Sequence, residues 1–218
     1  GHTRELMHWA NAAGAEIATL ELSSQFRCGG SDGYIAWLDN WLGIRETANT
    51  DFDRDSFDFR IVDSPVELHD LIRKKNKVNN RSRVVAGYCW DWKSKRDPSA
   101  YDIVIPEFGY QAQWNLDTDG SLWIMAPESI EQVGCIHTCQ GLELDYVGVI
   151  VGPDLEFRSG VTVVDPTKRS KQDRSIRGYK SLAAKNPDIA DRVGKIVRNT
   201  YKTLMTRGLK GEPVQIFV

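Results

Sequence analysis

Cys135, His137 and Cys139 fall within the run CIHTCQGLELDYVGVIVG, residues 135 to 152, directly ahead of an unbroken apolar segment. Such residues serve three chemistries: a metal site, a catalytic thiol, or a contact for phosphate or a nucleic-acid backbone. A structural zinc wants four ligands, usually from paired Cys-x-x-Cys turns, and the chain has no such pair. Cys28 or Cys89 would have to supply a fourth ligand through folding. A Cys-His dyad is disfavoured as well, because neighbours on one strand do not place a base over a nucleophile. The His-x-Glu and Pro-Cys-x-x-Cys runs of zinc deaminases are absent. Taken alone, the residues favour buried, inert thiols and no metal.

Two further tracts could carry chemistry. In YCWDWKSKR (88 to 96), Trp90 and Trp92 alternate with an acid and precede Lys93, Lys95 and Arg96. Aromatics beside lysines suit stacking on single-stranded bases with neutralisation of phosphates, although a tryptophan packed in the core with solvated lysines fits equally well. DPTKRSKQDRSIRGYKS (165 to 181) sets six basic residues against two acids, a balance most often found in a solvated loop. Arg27 and Arg207 complete the set. Arg207 stands at a helix end beside Gly208, where the helix dipole favours a cation without any functional reason. Arg27 follows a strand in a glycine-flanked loop, where a parallel sheet presents ligand contacts.

Composition bounds the rest. The chain has 218 residues, 41% hydrophobic and 27% charged, an ordinary balance for one large or two small globular domains. A net charge of -2 excludes a uniformly basic nucleic-acid binder and leaves local patches open. No apolar run approaches the roughly 20 residues of a membrane helix, and the start lacks a signal-peptide core, so a cytoplasmic protein with free thiols and no membrane partner is expected. Gly1-His2 resembles a tag scar. Residues 1–16 are therefore set apart as that remnant plus a leading helix from Arg4 to Ala13, entered from a truncated upstream region.

The elements that must position these residues read as strand and helix in alternation. IATLEL (17 to 22) is a strand, and Ile35, Leu38, Trp41 and Leu42 recur at helical spacing between Ser31 or Asp32 as cap and Gly43. FRIV (59 to 62) is a strand followed by a capping box, Ser64 to Glu67 with Pro65 at the first helical position, which opens a helix through Leu68, Leu71 and Ile72. RVVAG (83 to 87), DIVIP, VGCIH and YVGVIV read as strands, and QWNLDTDGSLWIM as a hairpin about Asp119-Gly120. Val193, Val197, Tyr201 and Leu204 mark a helix before a last strand, VQIFV (214 to 218). The order predicts an α/β fold, a mostly parallel sheet covered by helices on both faces.

Read in chain order, LSSQFRC (22 to 28), VVAGYCWDW (84 to 92), IHTCQGLELDYVGVIVG (136 to 152) and RNTYKTLMTRGLKG (198 to 211) resemble the fourth, mid-domain, fifth and sixth motifs of superfamily 1 helicases. With DIVIPEFGY and GPDL, the chain is most similar to the Schlafen group 3-type DNA/RNA helicase domain family. That resemblance implies a second, C-terminal RecA-like domain over residues 17–218, with an insertion at about 152–190. The chain has no Gly-x-x-x-x-Gly-Lys-Ser/Thr loop and no convincing acidic strand end for Mg²⁺, so ATP and Mg²⁺ would be held by an N-terminal P-loop domain of the same protein. By resemblance, Arg27 and Arg207 are arginine fingers, and Gln25, Gly141 and Glu143 touch the nucleotide. Trp90, Trp92, Lys93, His137, Thr138 and Gln140 would meet single-stranded DNA or RNA. The parent protein would be an ATP-driven helicase or translocase, with this chain inactive by itself; a degenerate RecA-like binding module without enzymatic activity is the competing expectation.

Overall fold

Parallel strands need crossovers, and the alternation seen in the sequence supplies them. The computed structural model describes residues 2–18, 32–48, 51–55, 57–115, 120–139, 143–183, 186 and 188–215. Among these, the chain runs α1 (His2–Ala12), α2 (Asp32–Trp41), β1 (Asp58–Val62), α3 (Pro65–Asn76), β2 (Ser82–Ala86), β3 (Ile103–Ile105), β4 (Tyr110–Trp114), β5 (Gln132–Gly134), β6 (Leu144–Ile150), β7 (Leu155–Arg158), β8 (Val161–Val164), α4 (Tyr179–Ala183), α5 (Asp188–Leu204) and β9 (Gly208–Gln215). The main sheet is seven-stranded in the order β1-β9-β6-β2-β5-β4-β3. Its pairings are parallel except β3 with β4.

Ser64 caps α3 as its spacing predicts, accepting from the Glu67 N–H at 3.1 Å. Leu68 and Ile72 then face the sheet and meet Val84, Ala86 and Ile150. On the opposite face α2 and α5 bring Leu38, Leu42, Val197, Tyr201 and Leu204 against Val85, Val147 and Val149. The later residues of both strands, Val84 to Ala86 of β2 and Val147 to Ile150 of β6, are therefore buried on both sides, as in parallel sheets covered by helices. The alternation along β6 slips at its start. Leu144 shares the face of Val147 because the ladder with β9 shifts register between Leu144 and Tyr146.

Gly87 is needed where β2 ends, since a Cβ there would lie 1.9 Å from the Tyr201 hydroxyl. β7 and β8 form a hairpin whose turn residues, Ser159 and Gly160, have φ of 49° and 80°. Positive values at both positions match the two-residue turn that suits strand twist. Stacking of Phe157 on Trp41 at 4.1 Å packs this hairpin against α2.

Some expectations are corrected. The segment read as a hairpin over 113–125 is β4 followed, beyond residues 116–119, by a 3-10 helix at Gly120–Met125. The core claims Trp123, 1% exposed, against Gly134, and the Ile124 carbonyl accepts from buried Arg83 at 2.6 Å; a strand would forgo both contacts. VGCIH is strand only to Gly134, and the last strand begins at Gly208 rather than Val214. The leading helix spans His2–Ala12, while residues 19–22 of the first expected strand lie outside the described residues. Among those described, no helix is long and apolar enough to cross a membrane.

Candidate functional site

Asp102, the residue before β3, organises the loop that carries the tryptophans. Its buried carboxylate accepts from the Lys93 and Ser94 N–H groups at 2.6 and 2.8 Å, the Ser94 hydroxyl at 2.6 Å and the Trp114 N–H at 2.8 Å. With those donors it is fully hydrogen-bonded, which offsets the cost of burying its charge. The loop is thereby fixed at the carboxyl edge of β2. Trp90 and Trp92 are half-buried there, with ring centroids 6.5 and 6.2 Å from Trp114, and Lys93 is exposed. The ammonium of Lys95 sits over the Trp92 ring at 3.9 Å. Sequence reading weighed base stacking against core packing for these tryptophans; the structure has each ring packed on the core with part of its surface open.

Residues 135–139 enter the same edge from β5. The Thr138 hydroxyl donates to Asn115 Oδ1 at 2.5 Å, His137 is exposed, and Cys135 packs on the α3 side of the sheet. Burial pushes the Tyr88 hydroxyl up to about 12, with nearby Cys135 adding to the effect. Cys139 turns to the other face and is fully buried. Burial holds its thiol well above the ordinary range, with Cys135 acting in the same direction and Arg207 against it. The two thiols thus pack into separate cores, and neither is poised as a nucleophile.

The chain then arrives at the opposite, amino-terminal rim of the sheet. Leu144, at the start of β6, donates its N–H to the Arg207 carbonyl at 3.2 Å, which sets Glu143 beside the residue preceding β9. Glu143 is exposed, and its carbonyl accepts from Arg81 at 3.4 Å. Asp145 accepts from Lys210 at 2.7 Å and Asn79 at 2.8 Å, and the Lys210 bond is the main cause holding its carboxyl below the usual range. Arg207 is 7% exposed and its Nε is inaccessible to solvent, so most of the side chain is covered.

The sequence-predicted residues accordingly form two groups. Trp90, Trp92, Lys93, His137 and Thr138 gather at the carboxyl edge of β2 and β5, and Glu143 and Arg207 at the amino rim of β6 and β9. Residues 135–139 belong to the first group and Glu143 to the second. Gln25, Arg27, Gln140 and Gly141 lie outside the described residues.

Sequence reasoning missed an ionic core behind the carboxyl edge. Asp154, in the GPDL turn after β6, is fully buried and pairs with Arg169 at 2.7 Å; Arg169 also pairs with Asp173 at 2.5 Å. The Tyr201 hydroxyl donates to Asp154 and accepts from the Gly152 N–H at 2.9 Å. Burial alone would push the Asp173 carboxyl up and the Arg169 guanidinium down; their pairing, with Asp154 also acting on Arg169, reverses both shifts. An acid placed immediately after a buried strand was the available signal for Asp154. Nothing local distinguished Arg169 from the solvated cations around it.

A family model described as Schlafen group 3, DNA/RNA helicase domain, matches residues 1–216. An uncharacterized protein of Saccharomyces cerevisiae is 24% identical over 204 residues, covering 87% of this chain and 44% of the yeast protein. The chain thus spans less than half the length of that relative. No solved structure matches.

Proposed function

This chain belongs to the Schlafen group 3 DNA/RNA helicase domain family, and from that premise we propose that it is the second RecA-like half of an ATP-driven motor on single-stranded DNA or RNA. One observation carries the reading. Residues 135–139 lie at the edge bearing Trp92, Lys93 and Thr138, and four residues on in the chain Glu143 lies at the rim bearing Arg207, so a strand at one end and a nucleotide at the other would be joined through a short covalent span. In this reading Trp90, Trp92, Lys93, His137, Thr138 and Gln140 contact the strand, and Gln25, Gly141 and Glu143 contact the nucleotide. Arg27 and Arg207 offset charge on the γ-phosphate. ATP and Mg²⁺ are held by a P-loop domain elsewhere in the protein, in keeping with the sequence, which has no such loop. A planar guanidinium suits that role because it clamps phosphate oxygens in a fixed geometry.

The covered state of Arg207 favours a second reading, a binding module that docks nucleic acid or protein without a working motor. The two part at one substitution. In a protein carrying both halves, Arg207→Ala should lower kcat for ATP by about 10³-fold or more, the scale of a transition-state finger, with KM little changed. Wild-type turnover in that variant removes Arg207 from the site and leaves the binding module standing.

A further inference from the structure

The insertion after β6 sorts its charges by depth. Asp173 faces inward to Arg169 and also accepts from the Ser175 N–H and hydroxyl at 2.9 and 2.6 Å. Asp165 is turned onto its own backbone, accepting from the Thr167 N–H at 2.9 Å and hydroxyl at 2.6 Å. Arg169 is buried by the pairs described above. Lys168, Lys171, Arg174 and Arg177 remain exposed, and among the described residues none of them enters an ion pair. A segment of mixed charge thus presents four exposed cations outward, with Asp165 half-buried beside them, on a chain whose net charge is -2.

That surface surrounds a cleft of about 450 Å³ lined by Thr167, Lys171, Arg177 and Tyr179, among others. The cleft is anchored next to the tryptophan tract. Ser170 donates its N–H to the Tyr88 carbonyl at 3.0 Å and its hydroxyl to Asp91 at 2.5 Å, and Gln172 accepts from the Trp92 N–H at 2.9 Å. The acid between the two tryptophans is therefore engaged by the insertion. The cations of 168–177 and those of Lys93 and Lys95 ride on segments bonded directly to each other.

We propose that the insertion cleft is a second contact for single-stranded nucleic acid, in which Lys171 and Arg177 in its lining, with exposed Lys168 between the lining residues Thr167 and Arg169, take the phosphodiester backbone of a strand continuing from Trp92 and Lys93. Tyr179 supplies a half-buried ring on which a base stacks, a sequence-tolerant contact. The buried Asp154–Arg169–Asp173 cluster holds this platform against the sheet. The inference rests on the strand site proposed at Trp90 to Lys93, and the test separates the two.

Fluorescence anisotropy of labelled 20-nucleotide oligo-dT and oligo-U, titrated with the chain over a range of salt, reads both sites. Lys168→Ala/Lys171→Ala/Arg177→Ala should weaken binding at least tenfold. Its slope of log K against log salt should flatten by about 2, because each phosphate contact on a single strand contributes about 0.7. Lys74→Ala/Lys77→Ala/Arg192→Ala removes the same charge from exposed positions elsewhere and should bind as the wild type does. Unchanged affinity and slope in the insertion variant, or an equal loss in the control, overturns the cleft. Trp92→Ala/Lys93→Ala binding normally while the insertion variant fails overturns the Trp92 site and keeps the cleft. A wild-type chain that binds neither oligonucleotide overturns both. Preference between oligo-dT and oligo-U identifies the sugar. Near-ultraviolet circular dichroism should match the wild type in the insertion variant, since the changed side chains are exposed.

Discussion

At the scale of single residues, His69 is the clearest case of a proton tied to the fold. Its Nε2 lies 2.7 Å from the Ile130 carbonyl, which only accepts, so Nε2 carries the hydrogen and Nδ1 accepts from the Tyr110 hydroxyl at 2.9 Å. Both nitrogens are satisfied in the neutral ring. Burial lowers the His69 pKa, and the Ile130 bond opposes this only in part; Arg73 lowers it further, while Glu131 and Asp70 act the other way. A depressed histidine pKa means that the unfolded chain takes up the proton first. Its contribution to stability is complete above about pH 6.5 and is lost as pH falls below that value, by at most about 1.4 kcal/mol per pH unit. Urea unfolding at pH 7.5 and 5.5 should show this loss, and His69→Gln, whose amide can still donate to Ile130, should flatten it. An equal pH dependence in His69→Gln would assign the loss to other groups. The carboxylates held low by partners, Asp58, Glu131, Asp145 and Asp173, act in a separate window nearer pH 4.

At the scale of elements, local chemistry and tertiary demand part company at identifiable places. α3 was legible because Ser64, Pro65 and Glu67 are a local signal, and α5 because Val193, Val197, Tyr201 and Leu204 mark one face. β2 and β6 were legible as short apolar runs. The hairpin expected at Asp119-Gly120 failed because a turn signal carries no knowledge of Trp123, whose burial against Gly134 depends on residues distant in sequence. Arg83 was hidden for the same reason. It lies inside β2, fully buried, and its charge is solvated by Asn76, Asn80, Ser129 and backbone carbonyls rather than by an acid; burial lowers its pKa to about 10. Of the candidate site, the sequence placed the tract around Trp92 after one strand and residues 135–139 at the end of another, as the structure has them, whereas the burial of Arg207 depends on neighbours distant in the chain. The segment 165–177 shows the gap most plainly, since a run that reads as solvated is pinned by a buried cation. Arg169→Met leaves Asp154 and Asp173 buried without their counter-ion and should cost about 3–5 kcal/mol in urea unfolding. Adding Asp154→Asn and Asp173→Asn should recover much of that. A single variant within about 1 kcal/mol of wild type would mean that the network does not hold the insertion.

At the scale of the whole molecule, the seven-stranded sheet with a core on each face offers two opposite edges, the carboxyl ends of β2 and β5 and the amino ends of β6 and β9. That geometry suits a part that transmits rather than one that reacts. Phosphoryl transfer depends on a positioned γ-phosphate and on metal-borne charge stabilisation, which the proposed function assigns to another part of the protein because this sequence contains no Gly-x-x-x-x-Gly-Lys-Ser/Thr run. A strand bound as proposed would, by contrast, meet exposed Lys93 and the partly open rings of Trp90 and Trp92 already in place. The two ligands should therefore behave differently toward the isolated chain. ATP with Mg²⁺ should show no turnover above background and should leave the melting temperature unchanged. An oligonucleotide at about 100 times its Kd should stabilise the fold by about 2.7 kcal/mol. For a domain of this size that raises the melting temperature by about 5–10 °C. Thermal scans with each ligand, beside a phosphate-release assay cleared of contaminating ATPases, decide the matter. Turnover, or a shift produced by ATP alone, would mean that this chain binds and positions the triphosphate by itself, and the division of labour between two halves would be lost.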